Sequence, residues 1–258
     1  MKWSAASEAL KKKREQEGAD AKGYIVCNAA EGEPGVLKDA FILENYPEAV
    51  IDGMKIAMET IGAKEAFINL RHDLFDKLAE DLRKNIGEAK IKILRESGGY
   101  LAGEETTMME TIEEKERREP RVRPPFPTEK GLWGCPTLVN NVETFYSVSL
   151  IAKGEYKKER FYTLSGDIEK MGVFSLPENW TIEKVLHKTG NFPQEDFFVQ
   201  EGGGVSGKIL LENELTEEVQ GTGAIIVHLV SKKDTKELMK KWVEFFYQEN
   251  CGNCVPFR

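Results

Sequence analysis

The stretch CNAAEGEPGVLKD, Cys27 to Asp39, decides how this chain is read. It follows the apolar run Tyr24-Ile25-Val26 and leads into a segment with helical spacing of apolar residues. Within it Glu31 and Glu33 sit among Gly32, Pro34 and Gly35. A strand that gives way to a Gly/Pro-punctuated acidic loop and then a helix puts the loop at the carboxyl end of the strand. That is where α/β folds gather ligand groups. Working outward, residues 37–61 read as a helix with Val50, Met54, Ala57, Met58 and Ile61 on one face, stopped by Gly62. Glu65 to Leu70 reads as a strand, Leu74 to Ile86 as an amphipathic helix ending at Gly87, and Lys90 to Leu94 as a third strand. Strand, helix, strand, helix, strand predicts a parallel α/β sheet. Upstream, Met1 to Gly18 reads as a short helix whose Lys11-Lys12-Lys13-Arg14 cluster is a solvated face.

Further on, Ser97 to Met109 is a Gly-rich turn with Glu104-Glu105, followed by a helix start where the Thr106 and Thr107 hydroxyls meet open backbone donors. Glu113 to Arg123 is densely charged, reads as a surface loop, and closes on Pro124-Pro125-Phe126-Pro127, which stiffens the mount of Phe126. Gly131 to Thr144 is a turn-rich lead-in to a helix over Val142 to Lys153. After a break near Gly154 to Glu159, short strands take over. Arg160 to Leu164 and Gly172 to Ser175 should pair, Ile182 to His187 should be a helix closed by Gly190, and Phe197 to Gln200 and Ala224 to Val230 should be strands. These are the proportions of a small ubiquitin-like α+β unit. Lys232 to Gln248 reads as an amphipathic helix, followed by ENCGNCVPFR at Glu249 to Arg258.

Composition narrows the class. The 258 residues are 40% hydrophobic and 31% charged, which favours a globular chain over a disordered or fibrous one. A net charge of −8 argues against nucleic acid as a partner, because phosphate binding needs a basic surface. No apolar run is long enough for a membrane span, and no secretory apolar region precedes the basic cluster, so a cytoplasmic setting is expected, peripheral to a membrane at most. Four cysteines in this length do not make a disulfide scaffold.

Several residues carry chemistry that a nucleotide site could use, and each has a plainer reading. Glu31, Glu33, Glu104 and Glu105 are solubilising glutamates or ribose-binding acids, and an acidic lining favours NAD over NADP. Asn140-Asn141, ahead of a helix, is a cap or an amide cradle for an anion or a hydroxyl chain. Gly202-Gly203-Gly204 lacks the Lys-Ser/Thr of a phosphate loop and reads as a hairpin turn. Cys251 and Cys254 have C-x-x-C spacing, which suits thiolate ligation or redox chemistry, but two thiolates do not complete a four-ligand site. His72, His187 and His228 stand alone.

Taken together, CNAAEGEPG with Lys38-Asp39, GGYLAGEET, RVRPPFP, GLWGCPTLVNNVET and CGNCVPFR resemble the NADH-binding flavoprotein subunit of respiratory complex I. The same module occurs in NAD-linked hydrogenases and formate dehydrogenases. The resemblance implies a Rossmann-like FMN/NADH-binding α/β domain over residues 1–155, a small β-grasp (SLBB) domain over 156–230, and the start of a helical iron–sulfur domain over 231–258. It implies FMN held by Lys2, Asn28, Glu31, Tyr100, Gly103, Glu104, Asn140, Asn141 and Thr144. It implies NADH approached by Glu33, Tyr100, Glu105, Arg123 and Phe126, with Glu105 orienting the nicotinamide end. The activity implied is NADH dehydrogenase of the NADH:quinone oxidoreductase type, in which hydride passes to FMN and electrons pass to ferredoxin-like or thioredoxin-like iron–sulfur partner subunits.

This chain departs from the family pattern at identifiable points. The family's glycine- and arginine-rich flavin loop, which lies before the Lys-Trp pair, is not found ahead of Lys2-Trp3, so the chain is expected to be truncated at both ends. Ala30 stands where the family has an aspartate, and Phe257 where it has the third cysteine. Cys251 and Cys254 alone are not expected to hold a [4Fe–4S] cluster. The alternative function is a degenerate, non-catalytic paralogue that scaffolds partner subunits.

Overall fold

The computed structural model of this chain describes residues 1–115 and 119–252. The chain divides into two compact units, one built from residues 1–32 and 42–155, the other from 33–41 and 156–250.

In chain order the first unit brings helix α1 (Lys2–Glu17), strand β1 (Tyr24–Ala29), helices α2 (Lys38–Asn45) and α3 (Pro47–Ile61), strand β2 (Glu65–Leu70), helix α4 (His72–Ile86), strand β3 (Ile91–Arg95), helices α5 (Glu105–Ile112) and α6 (Pro127–Lys130), strand β4 (Thr137–Asn141) and helix α7 (Val142–Lys153). The first turn of α2 is counted with the second unit. The strands form one sheet in the order β3-β2-β1-β4, with every pairing parallel. The chain runs outward from β1 to β3 and then returns to the other side of β1 as β4. The carboxyl ends of β1 and β4 therefore flank the switch point where doubly wound sheets open a crevice.

Burial explains the strand pattern. Ile25, Val26 and Cys27 of β1 are fully buried because helices or loops cover both faces of the sheet. Burying each large aliphatic side chain stabilises the unit by about 1.5–3 kcal/mol. One face packs Tyr24, Val26, Phe67 and Val139 against Met108, Met109 and Ile112 of α5. Helix α3 buries Val50, Ile51, Met54, Ala57 and Ile61, the i, i+3/4, i+7 stripe of an amphipathic helix. Its Gly53 lies so close to α7 that an added Cβ would stand 1.9 Å from Phe145 O.

Three expectations are corrected here. The single helix expected over 37–61 is two, because Pro47 has no N–H to give the Leu43 carbonyl; Tyr46, at φ −135°, turns the chain before α3 starts with proline in its first turn. The turn-rich lead-in to α7 contains β4, whose Thr137-Leu138-Val139 pairs with Tyr24-Ile25-Val26. The charged segment expected as a surface loop is partly an internal ion network. Arg121 Nε bonds Glu110, Arg121 Nη2 lies 2.9 Å from Glu113 Oε1, and Lys115 Nζ lies 2.9 Å from both Glu110 Oε2 and Glu113 Oε2. Burial alone would raise the Glu113 pKa, but the Trp133 N–H, Arg121 and Lys115 outweigh it and hold the carboxyl low.

The second unit contains β5 (Glu159–Gly166), β6 (Gly172–Pro177), α8 (Ile182–Thr189), β7 (Phe197–Glu201), β8 (Lys208–Leu211), β9 (Ala224–Leu229) and α9 (Thr235–Gln248). Its sheet runs β6-β5-β9-β7-β8, with parallel β5 and β9 in the middle and an antiparallel hairpin on each side. Ile182, Val185 and Leu186 of α8 pack on Tyr162, Leu164, Val199, Ile225 and Val227, giving the β-grasp arrangement of a sheet wrapped on one helix. Thr181 Oγ1 caps α8 by accepting from Lys184 N at 3.3 Å, and Gly190, left-handed at φ +70°, ends it. Strand β8 lies outside the strands expected from the pattern, because KILL is too short to read as alternation, whereas the hairpin turn expected at Gly202-Gly203-Gly204 is there between β7 and β8.

Candidate functional site

The site in the first unit is built on three asparagines and two loops at the carboxyl edge of its sheet. In a parallel sheet, residues in register lie on the same face. Asn28 of β1 is in register with Asn69 of β2 and with Asn141 of β4, so an amide row crosses three strands where they end. Asn28 Nδ2 donates to Gly103 O at 2.8 Å, and its Oδ1 accepts from Ala30 N at 3.2 Å. One side chain thereby ties the acidic loop to the turn at Tyr100–Gly103. The two backbones approach closely. A Cβ on Gly103 would come 2.6 Å from Ala30 O, and one on Gly32 would come 3.4 Å from Tyr100 Cα. Glycine at position 103 is therefore a steric requirement.

Asn140 and Asn141 do different work. Asn141 caps α7, its Oδ1 accepting from Glu143 N at 3.0 Å. Asn140, whose register partner is Cys27, turns its amide oxygen to Trp3 Nε1 at 2.9 Å and thereby docks the start of α1. Thr144 is exposed in the first turn of α7. Lys2 opens α1, and its Nζ pairs with the Glu105 carboxylate at the start of α5.

Glu104 is the N-cap of α5. Its Oε2 accepts from Thr106 N at 2.9 Å and Thr107 N at 2.8 Å. Both threonine hydroxyls donate to the same oxygen, at 2.5 and 3.2 Å. Both hydroxyls thus meet a carboxylate, and Thr106 Oγ1 also accepts from the Arg121 backbone N–H at 2.8 Å, so the backbone donor expected from the sequence is met by Thr106 but comes from beyond the helix. Burial pushes the Glu104 pKa up, but the Thr106 and Thr107 donors overcome it and hold the carboxyl below its ordinary value. Its Oε1 is buried, with Arg123 Nη2 3.1 Å away and no aligned hydrogen bond. Phe126 stands half exposed at the N-cap position of α6, where its carbonyl accepts from Glu129 N and Lys130 N, each at 2.9 Å.

Two contributors escaped the sequence reading. Arg71 Nη1 donates to Glu31 O at 3.0 Å, while Nε and Nη2 grip Asp73 at 2.6 and 2.9 Å, so the acidic loop is held from the β2 side. The only sequence signal was an arginine at a strand end. Asn69 is fully buried, and neither its Oδ1 nor its Nδ2 has a partner among the described residues. Its signal was an amide inside the otherwise apolar run EAFINL.

Bonds and close contacts thus join Lys2 to Glu105, Arg123 to Glu104, Asn28 to Gly103, and the acidic loop at Gly32 to Tyr100, while Asn140 holds Trp3, Asn141 caps its own helix and Glu31 is held by Arg71. Glu33 is held elsewhere, in the second unit, where its carboxylate takes the Val205 and Ser206 N–H groups, each at 2.9 Å. Cys251 is exposed, Cys254 and Phe257 lie outside the described residues, and among the described residues no group of three or more His, Cys, Asp or Glu could hold a metal.

The chemistry of the edge suits a hydroxyl-rich, phosphorylated ligand. Neutral amides line the row, a lysine stands beside it, and Asn69 offers buried polar atoms that lack partners among the described residues. A parallel sheet with such an edge at its switch point defines a nucleotide-cofactor-type α/β protein. The chain belongs to the Nuo51 FMN-binding domain family, whose model matches residues 4–150. It is 35% identical over 272 residues to an NADH-quinone oxidoreductase subunit of Aquifex aeolicus (strain VF5), covering 91% of this chain and 63% of that protein. It is 34% identical to the NAD-reducing hydrogenase HoxS subunit alpha of Cupriavidus necator, covering 91% of this chain and 44% of the relative. A solved NAD+-reducing [NiFe]-hydrogenase in the H2-reduced state superposes with a TM-score of 0.86 at 30% identity, covering 100% of this chain and 47% of that one. The chain thus spans less than two thirds of the length of these relatives.

Proposed function

We propose that this chain is the FMN- and NADH-binding part of a flavoprotein subunit that oxidises NADH within a larger redox complex. The observation that carries the reading is the amide row at the switch point, with Lys2 and Glu105 beside it. In this reading residues 1–155 form the flavin domain, 156–230 a β-grasp (SLBB) domain, and 231–258 the start of an iron–sulfur domain. Lys2 supplies positive charge for the FMN phosphate. Asn28, Asn140 and Asn141 offer amides to the ribityl hydroxyls, with Thr144 beside them in the first turn of α7. Gly103 and Tyr100 let backbone approach the ring system, and Glu31 and Glu104 shape its acidic side.

On the dinucleotide side, Glu105 orients the nicotinamide end once Lys2 is drawn to phosphate. Arg123 completes the polar lining, and the half-exposed Phe126 offers its face to adenine. FMN bound there would supply a two-electron acceptor for hydride and a one-electron donor to downstream centres. The chain's own task is to align the two rings and keep water out. The partners are NADH and iron–sulfur subunits of the ferredoxin-like or thioredoxin-like kind. Electrons leave by way of those partners. Among the described residues no helix is long and apolar enough to cross a membrane, in keeping with a cytoplasmic subunit peripheral to any membrane partner.

The test is reconstitution of the chain with FMN, followed by NADH oxidation with ferricyanide as acceptor. Stoichiometric flavin uptake and NADH-dependent turnover support the reading; a chain that takes up no flavin overturns it for this protein. The second reading, a non-catalytic scaffold, draws on the buried Ala30, which puts no polar side chain where the family has a carboxylate. It predicts capture of an iron–sulfur subunit by the flavin-free chain.

A further inference from the structure

The arm from Arg121 to Phe126 carries Arg123 and the half-exposed Phe126, and little packing supports it. A cleft of about 320 Å³ is lined by Val122 and Pro125 of the arm and by Met109, Lys130 and Gly134 of the unit's body. Val122 is itself 89% exposed. Apolar contact therefore does not fix the arm, and its polar anchors decide where it lies. Those anchors converge on Arg121. Its backbone N–H donates to Thr106 Oγ1 at 2.8 Å. Its guanidinium serves three groups at once: Nε bonds the Glu110 carboxylate, Nη2 lies 2.9 Å from Glu113 Oε1, and Nη1 donates to Gly131 O at 3.1 Å. Lys115 Nζ lies 2.9 Å from the second oxygen of each glutamate, so two cations balance two carboxylates whose side chains are 9% and 7% exposed. Burial works against the Arg121 charge, and Glu110 and Glu113 outweigh it. Further along the arm, Arg123 Nη2 rests 3.1 Å from Glu104 Oε1. All of these residues belong to the first unit.

We propose that Arg121 is a positioning residue for the dinucleotide: it fixes the root of the arm from which Arg123 and Phe126 meet NADH, and it does not touch the ligand itself. The part that concerns NADH rests on the proposed function; the anchoring of the arm does not. The task is one of geometry more than of charge. A guanidinium presents its donors in a rigid planar fork, whereas an ammonium is a point charge on a flexible stem. Arg121→Lys therefore keeps the charge but cannot answer Glu110, Glu113 and Gly131 O together. Arg121→Gln alone leaves two buried carboxylates to Lys115, and an uncompensated buried charge destabilises the unit. Combining Arg121→Gln with Glu110→Gln restores the charge balance and isolates the lost geometry.

The experiment begins with amide hydrogen exchange at position 121 in the flavin-free, full 258-residue chain. The expected result is protection in wild type, with exchange faster by roughly tenfold in Arg121→Lys and in the double variant. Equal exchange in all three overturns the anchor. If the double variant does not fold, Arg121→Lys decides by itself. In the FMN-reconstituted chain, both variants should take up FMN as wild type does and raise KM for NADH roughly tenfold, with a smaller change in kcat. ADP-ribose, which carries the adenine end without the nicotinamide, should lose affinity by a similar factor. A general structural defect would weaken FMN binding along with NADH, or lower kcat as far as KM rises; either result overturns the positioning role, as does an unchanged affinity for ADP-ribose. A wild-type chain that takes up no FMN defeats the NADH reading, while exchange at position 121 still decides whether Arg121 anchors the arm.

Discussion

Replacing Glu104 by alanine tests whether this carboxylate is first of all a helix cap. In the structure its Oε2 collects the Thr106 and Thr107 N–H groups and both hydroxyls. Loss of a side-chain cap costs about 0.5–2 kcal/mol where water can replace it. Water cannot do so easily here, because Thr106 and Thr107 are each only 2% exposed. Stranding even one buried donor adds about 1–3 kcal/mol, so the expected loss is roughly 3 kcal/mol. Glu104→Gln keeps one oxygen for the N–H groups and gives up the charge, for a loss of about 1 kcal/mol. Glu105→Ala breaks only the partly exposed pair with Lys2 and should cost about 0–1 kcal/mol. The assay is urea unfolding of the flavin-free chain, followed by a probe of α5. The pH dependence has a definite sign. The folded pKa of Glu104 is depressed, so its contribution is fully present above the unfolded carboxylate value near 4.5 and is lost as pH falls through the folded value. The gap between wild type and Glu104→Gln should therefore close on acidification below that point. An Ala variant no less stable than Glu105→Ala would refute the capping argument.

Other substitutions probe separate links. Gly53→Ala should destabilise the first unit by about 3 kcal/mol in thermal unfolding, because the atom 1.9 Å from its Cβ is the Phe145 carbonyl oxygen and cannot swing aside. Asn69→Leu should raise stability by about 1 kcal/mol, since it removes a buried amide with no partner among the described residues; a loss of stability would reveal a bound water as that partner. His228 is buried against Phe198 with Nε2 3.3 Å from Gln200 Oε1, and burial, then Lys233, push its pKa down against the opposing Asp167. A histidine kept neutral by the fold stabilises above the unfolded value near 6.5 and loses that contribution as pH falls below it. Denaturation curves between neutral and mildly acid pH should therefore be flatter for His228→Phe than for wild type.

Much of the framework was legible because its signals are local. The run Tyr24-Ile25-Val26, the stripe of α3 and the helix Val142–Lys153 each declare themselves by period and by a terminating glycine or capping residue. The break at Pro47 had a local signal too, a residue that cannot continue a helix, but the apolar spacing on either side masked it and one helix was expected there. β8 was not, because a four-residue strand carries too little alternation and is stabilised by its partner β7. The ion network of Arg121 with Glu110 and Glu113 was hidden for a related reason: charge density in sequence says nothing about whether the charges face one another or water.

The candidate site divides along the same line. Residue types and motif order picked out its candidate side chains, since Asn28, Gly103, Glu104 and Asn140-Asn141 all lie in the quoted stretches. The tertiary structure decided what each one does. Asn28 ties two loops together, Glu104 caps α5, Asn140 docks Trp3, and Glu33 is seated in a turn far along the chain at Val205 and Ser206. A carboxylate or an amide has several possible partners of nearly equal energy. Which one it takes depends on what long-range packing brings within about 3 Å, and no local pattern in the sequence encodes that distance.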